Sequence, residues 1–543
     1  MRSMMILSLL LAIVPVPAAA QAIAPESLFA ASDRCTACHN GLATPEGEDV
    51  SIGTSWRGSM MANAARDPYW QAAVRRETLD HPAAAAAIEN ECSACHMPMT
   101  RFAAKASGGM GSVFVHLPIA APAAAGGAPA APADLLAADG VSCSVCHQIQ
   151  ADGLGTEASF TAGFAIDSRA SPSRAIYGPF EVSAGHARIM DSAVAFAPEK
   201  RDHLRDAELC ASCHTLHTHA LDAGGNPAGR LAEQVPYLEW RRSSYAKTKS
   251  CQECHMPLVG DGTPAASVLP VPRDGARRHV FRGGNFLMPR IFAKHAADLG
   301  VVASAEELAA ASERTADHLR RSAAALAFTE AGLAAGRLEL ALRIENLAGH
   351  KLPTAYPSRR AWVNLVVRDA AGRPVFESGR LESDGSIRGN DNDRDGARFE
   401  PHHARIASEE QVQIYEPVLE DSEGNVTTGL IRAVRYVKDN RILPAGFEKR
   451  GADDDVAVRG DAMADDDFEG GSDTVRYSVA VGEASGPFTV TAALWYQPIG
   501  FRWATNLGEY DTAESARFLG YYQALAGESA IVLGEARVEV AVP

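Results

Sequence analysis

The sequence predicts an α+β, multidomain chain: a mainly helical, loop-rich domain followed by an antiparallel β-sandwich. Three observations predict it. All ten cysteines lie between Cys35 and Cys254, so the first half carries a chemistry that the second lacks. The segment Ser304–Phe328 reads as a single helix rich in Ala, Leu, Glu and Arg. From about Gly336 the texture changes to short alternating strands between Gly, Asn and Asp turns.

Residues 1–22 have the form of a secretory signal peptide. Arg2 gives a positive start, Met4 to Val14 is an apolar run too short to span a bilayer, and Pro15 and Pro17 precede Ala18-Ala19-Ala20-Gln21-Ala22. Cleavage is expected after Ala20 or Ala22. With no cysteine there for a lipid anchor and no later transmembrane stretch, the expected location is the periplasm or beyond.

Residues 23–300 are expected to form one domain, and it holds five Cys-x-x-Cys-His motifs. They are Cys35, Cys38 and His39; Cys92, Cys95 and His96; Cys143, Cys146 and His147; Cys210, Cys213 and His214; and Cys251, Cys254 and His255. No cysteine is left over. A zinc ribbon needs two such pairs per metal and no His after each. A redox dithiol occurs once, and a disulfide framework does not place His after every second Cys. The pattern is that of c-type haem attachment. Two thiols become thioethers of one porphyrin, and the adjacent His becomes the proximal iron ligand. Five covalently bound c-type haems are therefore expected.

Successive first cysteines are 57, 51, 67 and 41 residues apart, which is little protein per apolar cofactor. The haems should therefore build much of this core, with short motif-bearing helices and long loops. Ala120–Ala133 reads as a surface loop or linker. The 543 residues carry a formal net charge of −16, and haem propionates would add up to about ten negative charges. That excludes nucleic acid as a partner and suits steering toward basic redox proteins, a donor and an acceptor. A homo-oligomer or a surface complex fits the same reading.

A low-spin electron-transfer haem needs a second axial ligand, and 12 of the 17 histidines lie outside the motifs. His279 stands in RRHVFRGGNF, where two glycines permit close backbone approach to a porphyrin. His350 stands in NLAGHKLPT, where Gly349 and Pro353 shape a turn that would thrust an imidazole out of the sandwich. His116 and His203 are further candidates, followed by His186 and His402. His81, His217, His219, His295, His318 and His403 read as structural or exposed.

Residues 301–334 are expected to close the domain with a helix, Ser304 capping it and Glu307 three residues later. Residues 335–543 are expected to form the sandwich. Its strands are placed at Arg337–Asn346, Ala361–Asp369, Val375–Ser378, Gln411–Glu416, Val434–Lys438, Val475–Val481, Phe488–Trp495 and Arg537–Val542. Asp391, Asp393 and Asp395, ahead of Gly396, match the start of a D-x-D-x-D-G loop and are candidate calcium ligands. Asp453–Asp455 and Asp465–Asp467 are further acidic clusters.

The stretches GVSCSVCHQI, ELCASCHTL, YLEWRRSSYAKTKSCQECHMP, GHKLPTAYPSRRAW and EQVQIYEPV resemble multihaem cytochromes of the cytochrome c-552/4 domain family. That family is related to hydroxylamine oxidoreductase and to the pentahaem nitrite reductases. The resemblance implies a secreted cytochrome with a β-sandwich tail. In such proteins a Trp-x-x-Ser-x-His element supplies a distal His. The matching stretches here begin at Trp56 and Trp240 and carry Met61 and Tyr245 at the His position. Met61 thus becomes a candidate distal ligand, and a thioether would raise that haem's potential. Met97 and Met256 are expected to cover porphyrin.

Two functions follow. One is an electron relay through closely packed, mostly six-coordinate haems. The alternative is an oxidoreductase acting on a small nitrogen or sulfur oxyanion at one open-site haem, with Arg57, Arg66, Tyr245 and Lys351 as its polar groups. The absence of the Cys-x-x-Cys-Lys motif of the related nitrite reductases and the ample supply of distal ligands favour the relay.

Overall fold

The protein is described by a computed structural model covering residues 24–119, 130–169 and 171–542. The signal-peptide region and most of the Ala120–Ala133 run lie outside the described residues.

The first half is helical and loop-rich. Four motifs sit on single turns of helix or just after them: Ser32–Thr36, Cys143–Cys146, Ala207–Ala211 and Cys251–His255. Two longer helices stand beside the second motif. Helix α1, Pro68–Asp80, starts on an Asp67 N-cap whose carboxylate accepts from the amides of Tyr69 and Trp70. Helix α2, Ala85–His96, carries Cys92, Cys95 and His96. The hairpin β1 (Leu216–Leu221) and β2 (Pro227–Gln234) follows the fourth motif.

Helix α3, Leu287–His295, packs on helix α4, Ala305–Ser322. The capping box is formed as the sequence predicts, with Ser304 and Glu307 satisfying each other's amides. Leu308, Ala311, Ser312, Thr315, Ala316 and Leu319 make the buried stripe. The helix stops at Ser322, short of the predicted Phe328. Ala324–Ala334 is instead strand β3, paired along its length with β4, Arg337–Asn346. Ala335 and Gly336 both take positive φ between them, the geometry of a two-residue hairpin turn. That pairing overrides the helix propensity of the alanines.

The sheets begin with β3. One has the order β7 (Arg405–Ile406), β9 (Ser472–Ala480), β4, β3. The other runs β6 (Pro374–Ser378), β5 (Arg360–Arg368), β10 (Phe488–Gln497), β11 (Ile531–Val540), with β8 (Ile414–Tyr415) also on β5. Alternate residues point inward: Leu338, Leu340, Leu342 and Ile344 from β4, Val363, Leu365 and Val367 from β5, and Val490, Ala492 and Leu494 from β10. They form one core, so the two sheets make a sandwich. The pairing is antiparallel except for the two-residue contact of β7 with β9.

This core does not stop at the sandwich. Tyr69, Leu231, Phe286, Leu287, Ile291 and Phe292 from the first half belong to the same cluster. Helix α5, Ala513–Ala524, which the strand pattern gave no reason to expect, leaves the sandwich and packs on α1. Phe518 meets Tyr69 at 5.1 Å between ring centres, and Glu514 pairs with Arg75 at 2.9 Å.

Candidate functional site

The ten thiols are all unbridged, and they lie close to one another across motifs. Cys35 is a hydrogen-bonding neighbour of Cys143, Cys95 of Cys213, and Cys210 of Cys251. Cys146 lies within electrostatic reach of Cys213. The first motif therefore adjoins the third, the third adjoins the fourth, and the fourth adjoins both the second and the fifth.

Four of the five motif histidines are oriented by backbone carbonyls. Nδ1 of His39 bonds Ala265 O at 2.6 Å, His96 bonds Ala64 O at 2.9 Å, His147 bonds Tyr177 O at 2.6 Å, and His255 bonds Arg282 O at 2.6 Å. A carbonyl only accepts, so each ring carries its proton on Nδ1 and leaves the Nε2 lone pair free. That is the tautomer of a metal-ligating His held by an outer partner. Trp70 stacks on His96 at 4.3 Å and 3°. Desolvation holds His96 and His255 at about 4, so both rings are neutral at pH 7.

Two candidate distal histidines face motif histidines. His279 stands 6.3 Å from His147 and His350 stands 6.4 Å from His255, ring centre to ring centre, each pair 19° from parallel. A metal–imidazole bond is about 2.0–2.1 Å and the ring centre lies about 1.1 Å beyond the nitrogen, so two imidazoles trans on one ion stand about 6.3 Å apart. Both rings also bond a backbone carbonyl through Nδ1, His279 to Arg277 at 3.1 Å and His350 to Lys351 at 3.0 Å. Desolvation puts His279 at about 4 and lowers His350. Thiol pairs, tautomers and spacings all fit a covalently held iron porphyrin at these motifs.

The loop that presents His350 is built by charge. Glu239, in the helix Pro236–Arg241, accepts from the Lys351 amide at 3.1 Å and from the Thr354 hydroxyl. Arg441 reaches Glu239 at 3.0 Å and Asp439 at 2.7 Å, and Lys351 Nζ reaches Asp439 at 2.6 Å. All four side chains are buried, two of each sign. Gly349 packs closely here: a Cβ would lie 3.3 Å from Trp240. The two glycines near His279 differ in their protein surroundings. Gly284 backs onto the sandwich, with a Cβ there falling 2.6 Å from the Tyr496 hydroxyl, while Gly283 has open space.

The other sequence candidates are placed as follows. His116 bonds Asp134 through Nδ1 at 2.7 Å and keeps Nε2 free. His203 spends Nε2 on Ile149 O at 2.8 Å. Both nitrogens of the exposed His186 are engaged, by Ser183 and Leu269 O. The Met61 carbonyl accepts from Val141 at 2.9 Å, beside the third motif. Met97 is fully buried. Tyr245 donates to Leu347 O at 3.2 Å. The polar groups weighed for an oxyanion site are tied down: Arg57 to Glu307, Arg66 to three backbone carbonyls, Lys351 to Asp439. Sequence reasoning passed over His81 and His318. His81 is 6% exposed and its buried Nε2 has no hydrogen-bond partner. His318 lies 6.0 Å from His255, edge-on. No local motif marks either residue.

Asp391, Asp393 and Asp395 do not converge as calcium ligands. Asp391–Arg394 folds as a short helix, and each carboxylate is turned to a donor. Asp393 is held by Arg360 at 2.8 Å and the Ile387 amide at 2.8 Å, Asp391 by Arg398, and Asp395 by the Ala397 amide at 3.0 Å. Charge pairing has consumed the loop that alternate acids alone suggest.

No family model and no curated protein matches this chain. Among solved structures, it is similar to a penta-heme cytochrome c552 from Thermochromatium tepidum, at 15% identity and a TM-score of 0.49, over 95% of this chain and 100% of that one.

Proposed function

We propose that this protein is an exported, pentahaem c-type cytochrome that relays electrons between redox partner proteins. The observation that carries the reading is the pair of imidazole–imidazole spacings, His147 with His279 and His255 with His350. Both irons would then be six-coordinate, the state of a haem that carries electrons rather than binding substrate. His39, His96 and His214 are the proximal ligands of the other three, and His116, His203 and Met61 remain candidates for their second axial positions. Bound haem supplies one-electron redox chemistry. The chain supplies attachment, axial imidazoles of fixed tautomer and a low-dielectric surround.

The contact order of the motifs supports a continuous relay. It runs first, third, fourth and fifth, with the second joined at the fourth. No helix among the described residues is long and apolar enough to cross a membrane, and the acidic chain suits basic partners.

The test is a pyridine haemochrome count with optical and EPR spectra of the purified holoprotein. Five haems per chain, low-spin and inert to carbon monoxide, nitrite and hydroxylamine, are expected. A high-spin fraction that takes up nitrite or hydroxylamine would transfer the case to the oxyanion oxidoreductase.

A further inference from the structure

A second cluster lies in the sandwich, away from every cysteine. Ligand atoms of His402, Asp465 and Asp473 lie within 4.8 Å of one another. Asp467 is a hydrogen-bonding neighbour of Asp465, and its amide donates to Asp465 Oδ1 at 3.1 Å. Asp465 and Asp473 therefore converge, and Asp467 flanks Asp465. Asp473 is completely buried. Its Oδ2 accepts from the Tyr415 hydroxyl at 2.6 Å and from Gln413 at 3.2 Å, while its buried Oδ1 has no partner. Asp467 Oδ1 is buried without a partner too.

The cations nearby pair with Asp467 but not with Asp465 or Asp473. Arg476 binds Asp467 Oδ2, and Lys449 points at the carbonyls of Ala462 and Asp465. Buried acceptors left unpaired, and like charges left facing, are both costly. A cation among them removes both costs.

His402 decides which kind of cation. Its Nδ1 faces two amide nitrogens, Gln413 Nε2 at 2.8 Å and Asn440 Nδ2 at 3.1 Å. Those amide orientations are fixed independently. Gln413 Oε1 accepts from the His403 amide, Asn440 Oδ1 accepts from the Glu416 amide, and Asn440 Nδ2 donates to Ile414 O. Nδ1 is thus an acceptor and Nε2 carries the proton, directed at Asp465 Oδ2, 3.2 Å away. A ring in that state donates to a ligand and does not bind metal itself. The oxygens remain, and a site of carboxylate oxygens selects a hard ion.

We propose that Asp465, Asp467 and Asp473 bind a calcium ion, with His402 positioning Asp465. The site fastens the Asp465–Asp467 loop to the start of β9.

The test uses the full-length holoprotein stripped with a chelator. Calorimetric titration with calcium should show one site, and calcium should raise the unfolding midpoint. Asp473→Asn should lose both effects and keep its five haems by pyridine haemochrome. If that variant does not accumulate, Asp467→Asn serves, with the same expected losses. Absence of calcium uptake by the wild type overturns the proposal, as does uptake that survives both substitutions. Zinc uptake without calcium uptake, abolished by His402→Gln, would likewise overturn it in favour of a His-carboxylate site.

Discussion

Replacing His350 by Ala tests the link between the sandwich and the fifth motif. The ring centre of His350 lies 6.4 Å from that of His255, the distance for two imidazoles on one iron. Removing one ring leaves that iron five-coordinate, so one haem in five should turn high-spin, with the other four unchanged. Carbon monoxide should then bind at one site per chain. The fold should survive with a modest loss: the Lys351 carbonyl gives up its 3.0 Å partner, which costs about 1–3 kcal/mol if it stays dry. His350→Met should restore six-coordination and raise that haem's potential. EPR and a carbon monoxide titration read all of this. Five low-spin haems in His350→Ala would refute the reasoning. The structure then points to His318, 6.0 Å from His255, and a double replacement of His350 and His318 would identify it.

Three further outcomes are expected. Burial pushes the Asp439 carboxyl up, but Arg441 and Lys351 pull it down past that to about 2, below its ordinary 3.8. The stabilisation is present above about pH 4 and is lost as pH falls through about 2, amounting to about 2–3 kcal/mol. Acid unfolding should therefore begin near pH 3 to 4, and in Lys351→Met, which removes one of the two cations, at higher pH, with a loss of about 3–5 kcal/mol at neutrality; unfolding curves from pH 2 to 7 check both. Gly284→Ala drives a methyl against Tyr496 and Arg359 and should cost about 1–3 kcal/mol of stability; an unfolding midpoint equal to that of the wild type would contradict the close approach described. A chain cut after residue 300 should aggregate, because Tyr69, Phe286, Ile291 and Phe292 would lose the partners that bury them; a monodisperse fragment on gel filtration would refute the shared core.

What the sequence discloses depends on how local the determining interaction is. The Cys-x-x-Cys-His motifs are contiguous, so they are read directly from the chain. Strand β4 was legible to the residue, because Leu338, Leu340, Leu342 and Ile344 alternate with Glu339, Arg343 and Glu345, Ala341 being the one apolar interruption, and one face is buried. Strand β3 was not. Its alanines favour a helix, and only pairing with β4 turns them into a strand. The pairing of His350 with His255 joins residues far apart in the chain, and the sequence offered only a shaped turn. The acids at Asp391–Asp395 failed for a related reason. Spacing matched a loop, but Arg360, distant in the chain, and Arg398, within the loop itself, claim the carboxylates.

The sandwich has no cysteine, yet the geometry of the fifth motif depends on it. Glu239 stands in a helix of the first half and holds the Lys351 amide, while Arg441 and Lys351 bind Asp439 on the sandwich side. A buried ionic network is seldom retained for stability alone, since apolar replacements of similar volume are often as good. Here it fixes a direction. Its hydrogen bonds set the path of residues 350–354, and that path sets where the His350 imidazole points. Loop 277–284 does the same between motifs: the Arg282 carbonyl orients His255, and His279, three residues earlier, faces His147. Axial geometry at two motifs is thus tied to one loop and one salt-bridge network. A change at either should move the spectra of particular haems before it unfolds the chain.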